Sequence, residues 1–119
     1  MTDLSNGAAW MGGKIIPIAD AAIPVTDWGL THSDIAYDVV PVWHGAFFRL
    51  DDYVNRFIAS LTAGRYDIGI DRDGIFAALH EMVYASGMQD SYVAMVAARG
   101  RNPVPGSRDP RDCANHFYA

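Results

Sequence analysis

The sequence predicts an α+β domain built on an antiparallel sheet. Two hairpin patterns come first along the 119 residues, two helical patterns follow, and two further strand patterns close the chain. Strands and helices grouped in this way are typical of α+β architecture, whereas strict alternation would indicate a wound parallel sheet. Half of the residues are apolar, so we expect residues 1–119 to form a single domain around one modest core.

The first hairpin is predicted by two adjacent glycines. Gly12 and Gly13 separate two apolar runs, residues 8–11 and 14–18. Glycine accepts the positive φ angles that a two-residue hairpin turn requires. The pattern therefore indicates two short antiparallel strands.

A second hairpin follows. Residues 37–43 are rich in β-branched and aromatic side chains, His44 and Gly45 form the expected turn, and residues 46–49 return. Pro41 lies inside the first strand of this pair and has no N–H to donate. We therefore expect that strand to lie at a sheet edge or to be bulged at Pro41.

The first helix is predicted to begin at an N-cap on Asp51 or Asp52 and to end at Gly64. Apolar residues recur there at the spacing of one helix face. These residues are Val54, Phe57, Ile58 and Leu61. The second helix is predicted to begin near Asp71 or Asp73 and to end at Gly87. Its apolar stripe consists of Ile75, Leu79, Met82 and Val83.

Two strands joined by a long loop complete the pattern. Residues 91–98 form a buried strand, residues 99–110 form the loop, and residues 112–119 form a final strand. The last strand pattern has no turn or cap after it. We therefore expect the chain to be the N-terminal part of a longer, two-domain protein.

Composition excludes several classes of function. Nine basic and fourteen acidic residues give a net charge of −5 and a pI near 5.0, which argues against a nucleic-acid or anionic-membrane surface. One cysteine, Cys113, leaves no internal disulfide, and no signal peptide or membrane-spanning run is present, so a cytoplasmic protein is expected. The four histidines share no metal-ligand spacing, so no metal site is expected.

Residues 27–34 are the densest polar stretch between two apolar runs. They contain a serine, a histidine and two aspartates, but close neighbours in sequence rarely meet in catalytic-triad geometry. The favoured interpretation is a loop with an Asx or Ser cap leading into a short helical turn. His32 on its own is more often a hydrogen-bonded structural histidine than a catalyst.

Two features carry arginine where it could bind an anion. Arg56 lies two residues from Val54, about 200° around the helix, and so points away from the core. It is either a solvated side chain or an anion ligand that grips phosphate through two nitrogens. The loop of residues 99–110 carries Arg99, Arg101 and Arg108, and it is either a lid that recognises a carboxylate or a solvated surface loop.

The sequence resembles the N-terminal region of class IV aminotransferases, the fold-type IV enzymes that use pyridoxal 5'-phosphate (PLP). Residues 24–34, Tyr37 and the strand ending at residues 43–45 resemble the opening of these enzymes. Residues 48–57 resemble their helix motif, and residues 98–100 with the following loop resemble a later segment. The likeness is collinear over residues 7–119. Within the family, residues 32–34, 37–39 and 47–52 are most similar to the (R)-selective amine transaminases.

The resemblance implies a role for each matching residue. Arg56 corresponds to the arginine that binds the PLP phosphate. His32, Tyr37 and Val39 correspond to positions near the cofactor and the substrate pocket, and Arg108 corresponds to a mobile-loop arginine that pairs with a substrate carboxylate. No catalytic residue is assigned, because the Schiff-base lysine of the family lies outside this chain.

The activity implied is transfer of an amino group between an amine or amino acid and a 2-keto acid such as pyruvate. A cytoplasmic homodimer is implied for the full-length enzyme, and the 119 residues alone are expected to be inactive. Lys14 cannot replace the missing lysine, since it lies in the first hairpin. Tyr53 stands where the family usually has histidine, with little loss expected.

Two alternatives stay open. The full-length protein could be a branched-chain or D-amino-acid aminotransferase, or an aminodeoxychorismate-lyase-like enzyme; a requirement for a carboxylate-bearing donor would separate these from an amine transaminase. The chain could instead be a non-catalytic module or one half of a split enzyme.

Overall fold

The computed structural model describes residues 2–119 as one antiparallel six-stranded sheet with helices packed against it. The strands are β1 (Ala8–Met11), β2 (Lys14–Pro17), β3 (Ile35–Trp43), β4 (Ala46–Phe47), β5 (Ser91–Arg101) and β6 (Ala114–Tyr118). The helices are α1 (Trp28–Thr31), α2 (Leu50–Gly64) and α3 (Arg72–Ser86), with 3-10 turns at Ile18–Asp20 and Pro110–Asp112. The predicted α+β antiparallel class is confirmed.

The order of strands in the sheet is β2-β1-β6-β5-β3-β4. Neighbouring strands are antiparallel throughout. The N-terminal hairpin therefore lies beside β6, and β3 pairs along eight residues with β5, which is distant in sequence. A sheet of this kind brings residues from distant parts of the chain into one layer.

One face of the sheet packs against α2 and α3. Side chains alternate along β3, so that Ala36, Val40 and Val42 enter the core beneath the helices. The core includes Phe57 from α2 and Leu79 from α3, both fully buried. The opposite face of β3 carries exposed side chains, which leaves it available for a site.

The hairpin predicted at Gly12-Gly13 is confirmed, with both glycines at positive φ. Its second strand ends at Pro17, because Ile18 begins a 3-10 turn. The expectation for Pro41 is met only in part, because β3 lies between β5 and β4 in the sheet and its register with β5 runs through Pro41 without a bulge. Along β3 the edge away from β5 pairs with β4 only at two positions, and the Pro41 carbonyl accepts the N–H of Phe48 there.

The start of α2 differs from the prediction. Neither Asp51 nor Asp52 is the N-cap; the helix begins at Leu50, after Arg49 in the left-handed region at φ 53°. Both aspartates lie instead in the first turn, where the helix dipole favours negative charge, and Asp52 Oδ2 accepts a hydrogen bond from Arg49 Nε. Because of this turn, β4 covers only Ala46–Phe47, which is shorter than the predicted strand over residues 46–49.

The remaining boundaries are partly confirmed. Asp71 caps α3 and Gly87 ends it, as predicted. The strand predicted over residues 91–98 continues to Arg101, so the loop between β5 and β6 is shorter than expected. The strand predicted over residues 112–119 begins at Ala114, because the Asp109 carboxylate caps a 3-10 turn that occupies Pro110–Asp112.

Candidate functional site

Arg56 of α2 and Asp38 of β3 form a polar pair bonded through two nitrogens and two oxygens. Arg56 Nε donates to Asp38 Oδ2 at 2.8 Å, and Arg56 Nη2 donates to Asp38 Oδ1 at 2.7 Å. The Asp38 side chain is only 5% exposed, whereas that of Arg56 is 66% exposed. The pair therefore ties a buried carboxylate to a guanidinium that still faces solvent.

Backbone geometry explains why these two residues meet. Asp38 occupies a position of β3 that faces the helices, between the buried residues Ala36 and Val40. Arg56 lies one residue before the buried Phe57, about 100° around α2 from it, so its long side chain leaves the helix outside the apolar stripe. The guanidinium bends back to the Asp38 carboxylate on the helix-facing side of β3.

The charges of the pair support each other. The hydrogen bonds from Arg56 hold the pKa of the Asp38 carboxyl below its usual value, although burial acts in the opposite direction. The same bonds raise the pKa of Arg56. Both side chains are therefore ionised over the physiological pH range.

Tyr53 completes the surroundings of Arg56. The Arg56 guanidinium carbon lies 5.2 Å from the centre of the Tyr53 ring, within range of a cation–π contact. Arg49, Asp52, Tyr53 and Arg56 line a hollow of about 250 Å³. Tyr53 thus contacts the arginine through its ring.

Tyr37 and Val39 lie on the other face of β3, on either side of Asp38. They pair in register with Val96 and Ala94 of β5. Tyr37 is exposed and Val39 is half-buried. Asp38 therefore faces α2 and Arg56, whereas its neighbours Tyr37 and Val39 face the opposite side of the sheet.

His32 lies at the end of α1 rather than on the sheet. Its ring stacks on Trp28 with centroids 4.3 Å apart, and its Nδ1 lies 2.8 Å from Thr31 Oγ1. The helical turn before it begins at Asp27, whose Oδ1 accepts the Gly29 N–H. The predicted Asx-capped turn is confirmed, and the only hydrogen bond of the His32 ring within residues 2–119 is to Thr31.

Arg108 lies in the loop between β5 and β6 and is exposed. Within residues 2–119 it makes no ion pair. The loop is held by its own polar groups: Asn102 Nδ2 donates to the carbonyls of Ser107 and Asp109, and Ser107 Oγ donates to Asp112. The loop follows the end of β5 that pairs with the start of β3, so it lies at the same end of the sheet as α1.

Arg99 is a structural residue. It is 11% exposed, and it donates to the Asp34 carboxylate and to the carbonyls of Gly64 and Arg65 at the end of α2. The Tyr66 ring lies 4.0 Å from its guanidinium carbon, and the Tyr66 hydroxyl donates to Asp34. This cluster fixes β3, β5 and α2 relative to one another.

Sequence reasoning missed the role of Asp38. The available signal was its position: an acidic residue in an inward-facing register of an apolar strand must find a partner. Among residues 2–119, no cluster of three or more His, Cys, Asp or Glu side chains is arranged to hold a metal ion. No helix in the same range is long and apolar enough to cross a membrane.

Comparison with known proteins gives one consistent result. No family model matches the chain. A D-alanine aminotransferase from Bacillus licheniformis is 23% identical over 91 residues, which cover 76% of this chain and 32% of that protein. The branched-chain-amino-acid aminotransferase-like protein 1 of Arabidopsis thaliana is 24% identical over 99 residues, which cover 82% of this chain and 18% of that protein. The chain therefore spans a third or less of the length of these relatives.

Solved structures agree with this result. The T.th. branched-chain amino acid aminotransferase, complexed with N-(5'-phosphopyridoxyl)-L-glutamate, superposes with a TM-score of 0.81. It is 24% identical, and the match covers 95% of this chain and 39% of that one. The branched-chain aminotransferase of Thermoproteus uzoniensis, solved with norvaline, gives a TM-score of 0.80 at 23% identity, over 93% of this chain and 38% of that one.

The fold is that of the N-terminal domain of branched-chain aminotransferases. Relatives found by sequence and neighbours found by structure are both aminotransferases, so the resemblance to a class IV aminotransferase N-terminal domain is confirmed.

Proposed function

We propose that this chain supplies the phosphate-binding arginine and one wall of the substrate pocket in a PLP-dependent transaminase. The full-length protein would move an amino group between an amine or amino acid and a 2-keto acid such as pyruvate. The observation that carries the proposal is Arg56, a solvent-facing guanidinium held in place by the buried Asp38. The aminotransferase relatives support the reaction class.

The residues present fit the cofactor's phosphate. Arg56 uses Nε and one N–H of Nη2 on Asp38, which leaves Nη1 and the second Nη2 hydrogen for an oxyanion. Guanidinium and phosphate form strong charge-assisted hydrogen bonds when the donor edge is free. When bound, PLP supplies the electron sink for amino-group transfer.

The other proposed site residues bind and orient the substrate. Tyr37 and Val39 would form an apolar wall on the open face of β3, and His32 would border the pocket from the end of α1. Arg108 would bind a substrate carboxylate, a role supported by its exposed position and its lack of an ion pair among residues 2–119. Proton transfer needs a lysine, and the single lysine of this sequence, Lys14, lies exposed on β2.

We propose the finer specificity of the (R)-selective amine transaminases, because residues 32–34, 37–39 and 47–52 resemble that group. A D-amino-acid or branched-chain aminotransferase is the second candidate, supported by the sequence relatives. We also propose a homodimer in the cytoplasm.

The test uses the protein expressed from its native gene. Arg56→Ala should weaken PLP binding, measured by equilibrium dialysis, by about ten-fold or more, since a hydrogen bond between charged groups contributes roughly 1.5–3 kcal/mol. Arg72→Ala is the matched control, because Arg72 of α3 bonds to Asp51 and Asn55 at exposed positions and does not line the hollow beside Arg56. Unchanged PLP affinity in Arg56→Ala would contradict the proposal. A native protein that neither binds PLP nor transaminates would favour a non-catalytic module.

A further inference from the structure

We infer that Asp38 is a positioning residue that holds the Arg56 guanidinium with one edge free for a phosphate oxyanion. The inference rests on the proposed function, since it concerns the same arginine. Asp38 itself contacts no ligand in this scheme; it acts through Arg56.

The hydrogen bonds divide the guanidinium into two edges. Asp38 takes the edge formed by Nε and Nη2, at 2.8 and 2.7 Å. The guanidinium carries five N–H groups in a rigid plane, so three of them remain on the side away from Asp38. A phosphate can therefore bind without displacing the carboxylate.

Asp38 is itself fixed. Its side chain is buried, and Oδ1 also accepts the Val39 N–H at 2.9 Å. Asp38 is paired with Met95 inside the long β3–β5 ladder, so its backbone cannot follow a moving arginine. The Tyr53 ring lies 5.2 Å from the guanidinium carbon and limits its motion from a second direction. The exposed Arg56 is thus more ordered than its exposure alone would suggest.

Positioning and simple electrostatics predict opposite results. A carboxylate beside an anion site repels the incoming anion, so removal of its charge should tighten phosphate binding if charge alone mattered. If Asp38 orients the donor edge, its removal should weaken phosphate binding, because a mobile guanidinium must be ordered at the moment of binding. The sign of the effect therefore separates the two explanations.

The experiment is an NMR titration of the cofactor-free protein expressed from its native gene with inorganic phosphate, followed at the Arg56 Nε–Hε resonance. The variants are Asp38→Asn, which keeps the shape and removes the charge, and Asp38→Glu, which keeps the charge. Asp52→Asn is the matched control, because Asp52 lines the same hollow but bonds to Arg49 and not to Arg56. Arg56→Lys tests the proposed function itself.

In Asp38→Asn we expect the phosphate dissociation constant to rise about five-fold or more, as expected for lost preorganisation. Asp52→Asn should bind phosphate equally well or more tightly, and Asp38→Glu should recover part of the loss. Equal or tighter binding by Asp38→Asn overturns the positioning role while the phosphate site stands. No Arg56 response in the unmodified full-length protein overturns both proposals.

A second measurement does not depend on any variant folding. In the unmodified chain, ¹⁵N relaxation of the Arg56 Nε should indicate an ordered group, close to the backbone of α2. The Nε of Arg108, which makes no side-chain hydrogen bond among residues 2–119, provides the mobile reference. An Arg56 Nε as mobile as that of Arg108 would overturn the inference.

Discussion

Asp27 and His116 join the start of α1 to β6. Asp27 Oδ2 lies 2.5 Å from His116 Nε2, and Asp27 Oδ1 accepts the N–H groups of Gly29 and Gly100. The carboxylate is 1% exposed, so water cannot replace any of these partners. The buried Asp27 side chain therefore links the start of α1 to Gly100, 73 residues later in the chain, and to His116, 89 residues later.

Asp27→Ala should lower the free energy of unfolding by about 2–4 kcal/mol, because two buried N–H groups lose their acceptor. Asp27→Asn should cost less, since its carbonyl oxygen can still accept the N–H groups of both Gly29 and Gly100, which bond to one oxygen of Asp27. Urea denaturation followed by circular dichroism measures both. Asp20→Ala, at an exposed position, is the control. A loss in Asp27→Ala no larger than in the control would contradict the buried role.

Gly100→Ala should be strongly destabilising. Gly100 has φ 88°, and a Cβ there would lie 1.8 Å from the Ala114 carbonyl oxygen, inside the bulge between β5 and β6. Gly106→Ala provides a matched control, because Gly106 has φ 74° but nothing within 4 Å of an added Cβ. The left-handed conformation alone costs roughly 1–2 kcal/mol, so the Gly106 variant should lose about that much and the Gly100 variant clearly more. Equal midpoints of thermal unfolding for the two variants would show that β5 and β6 accommodate the added methyl group at little cost.

Asp34 should make the free energy of unfolding depend on pH in the acid range. The hydrogen bond from Arg99 lowers the pKa of Asp34 below 3.8, against the effect of burial. A carboxyl with a lowered pKa in the folded state stabilises the protein above its unfolded pKa, and that contribution disappears as the pH falls through the folded value. The free energy of unfolding should therefore fall below pH 3.8 and fall less in Asp34→Asn. An equal fall in the free energy of unfolding with pH in the unmodified protein and in Asp34→Asn would contradict this role of Asp34.

Tyr66 should make stability dependent on alkaline pH. Burial, together with its hydrogen bond to Asp34, raises the pKa of Tyr66 from 10.0 to about 12. The unfolded state therefore loses its phenol proton first, and the contribution to stability that is present below pH 10.0 declines towards about pH 12. Tyr66→Phe should remove this part of the alkaline decline in urea denaturation. Tyr84→Phe, at a strongly exposed ring, should not.

Arg108 should separate donor classes in the protein expressed from its native gene. Arg108→Ala should raise the KM for an amino acid or a 2-keto acid by about ten-fold, since a charge-assisted pair to the carboxylate is lost. The KM for an amine without a carboxylate should stay unchanged. Arg101→Ala is the control, because Arg101 is an exposed arginine at the last position of β5, beside the same loop. An equal rise in KM for both donors would assign the loop a structural role.

Local signals predict the elements that depend on neighbouring residues. Gly12-Gly13 predicts its hairpin because only the turn geometry matters there, and Asp71 and Gly87 predict the ends of α3 for the same reason. The predicted start of α2 is wrong because Arg49 adopts a left-handed conformation that its residue type does not indicate. Two aspartates in the first turn look like caps but act on the helix dipole.

Contacts between distant segments could not be predicted in the same way. The partner of Asp38 lies 18 residues away on another element, and the partner of Arg99 lies 65 residues away. An inward-facing charge predicts that a partner exists but not which residue it is. Arg56 was found because helical periodicity excludes it from the core. Its fixed orientation follows only from the register that β3 and α2 adopt together.

The order of the strands has a consequence for biosynthesis. The N-terminal hairpin is attached to the rest of the sheet through β6, where Trp10 and Ala119 exchange two backbone hydrogen bonds. On the ribosome β1 must therefore wait for β6 before it can dock. Until then β1 presents an unpaired apolar edge, and such edges are sites of misassociation during translation. Chaperone dependence of the nascent chain should accordingly end only when residues 114–118 emerge.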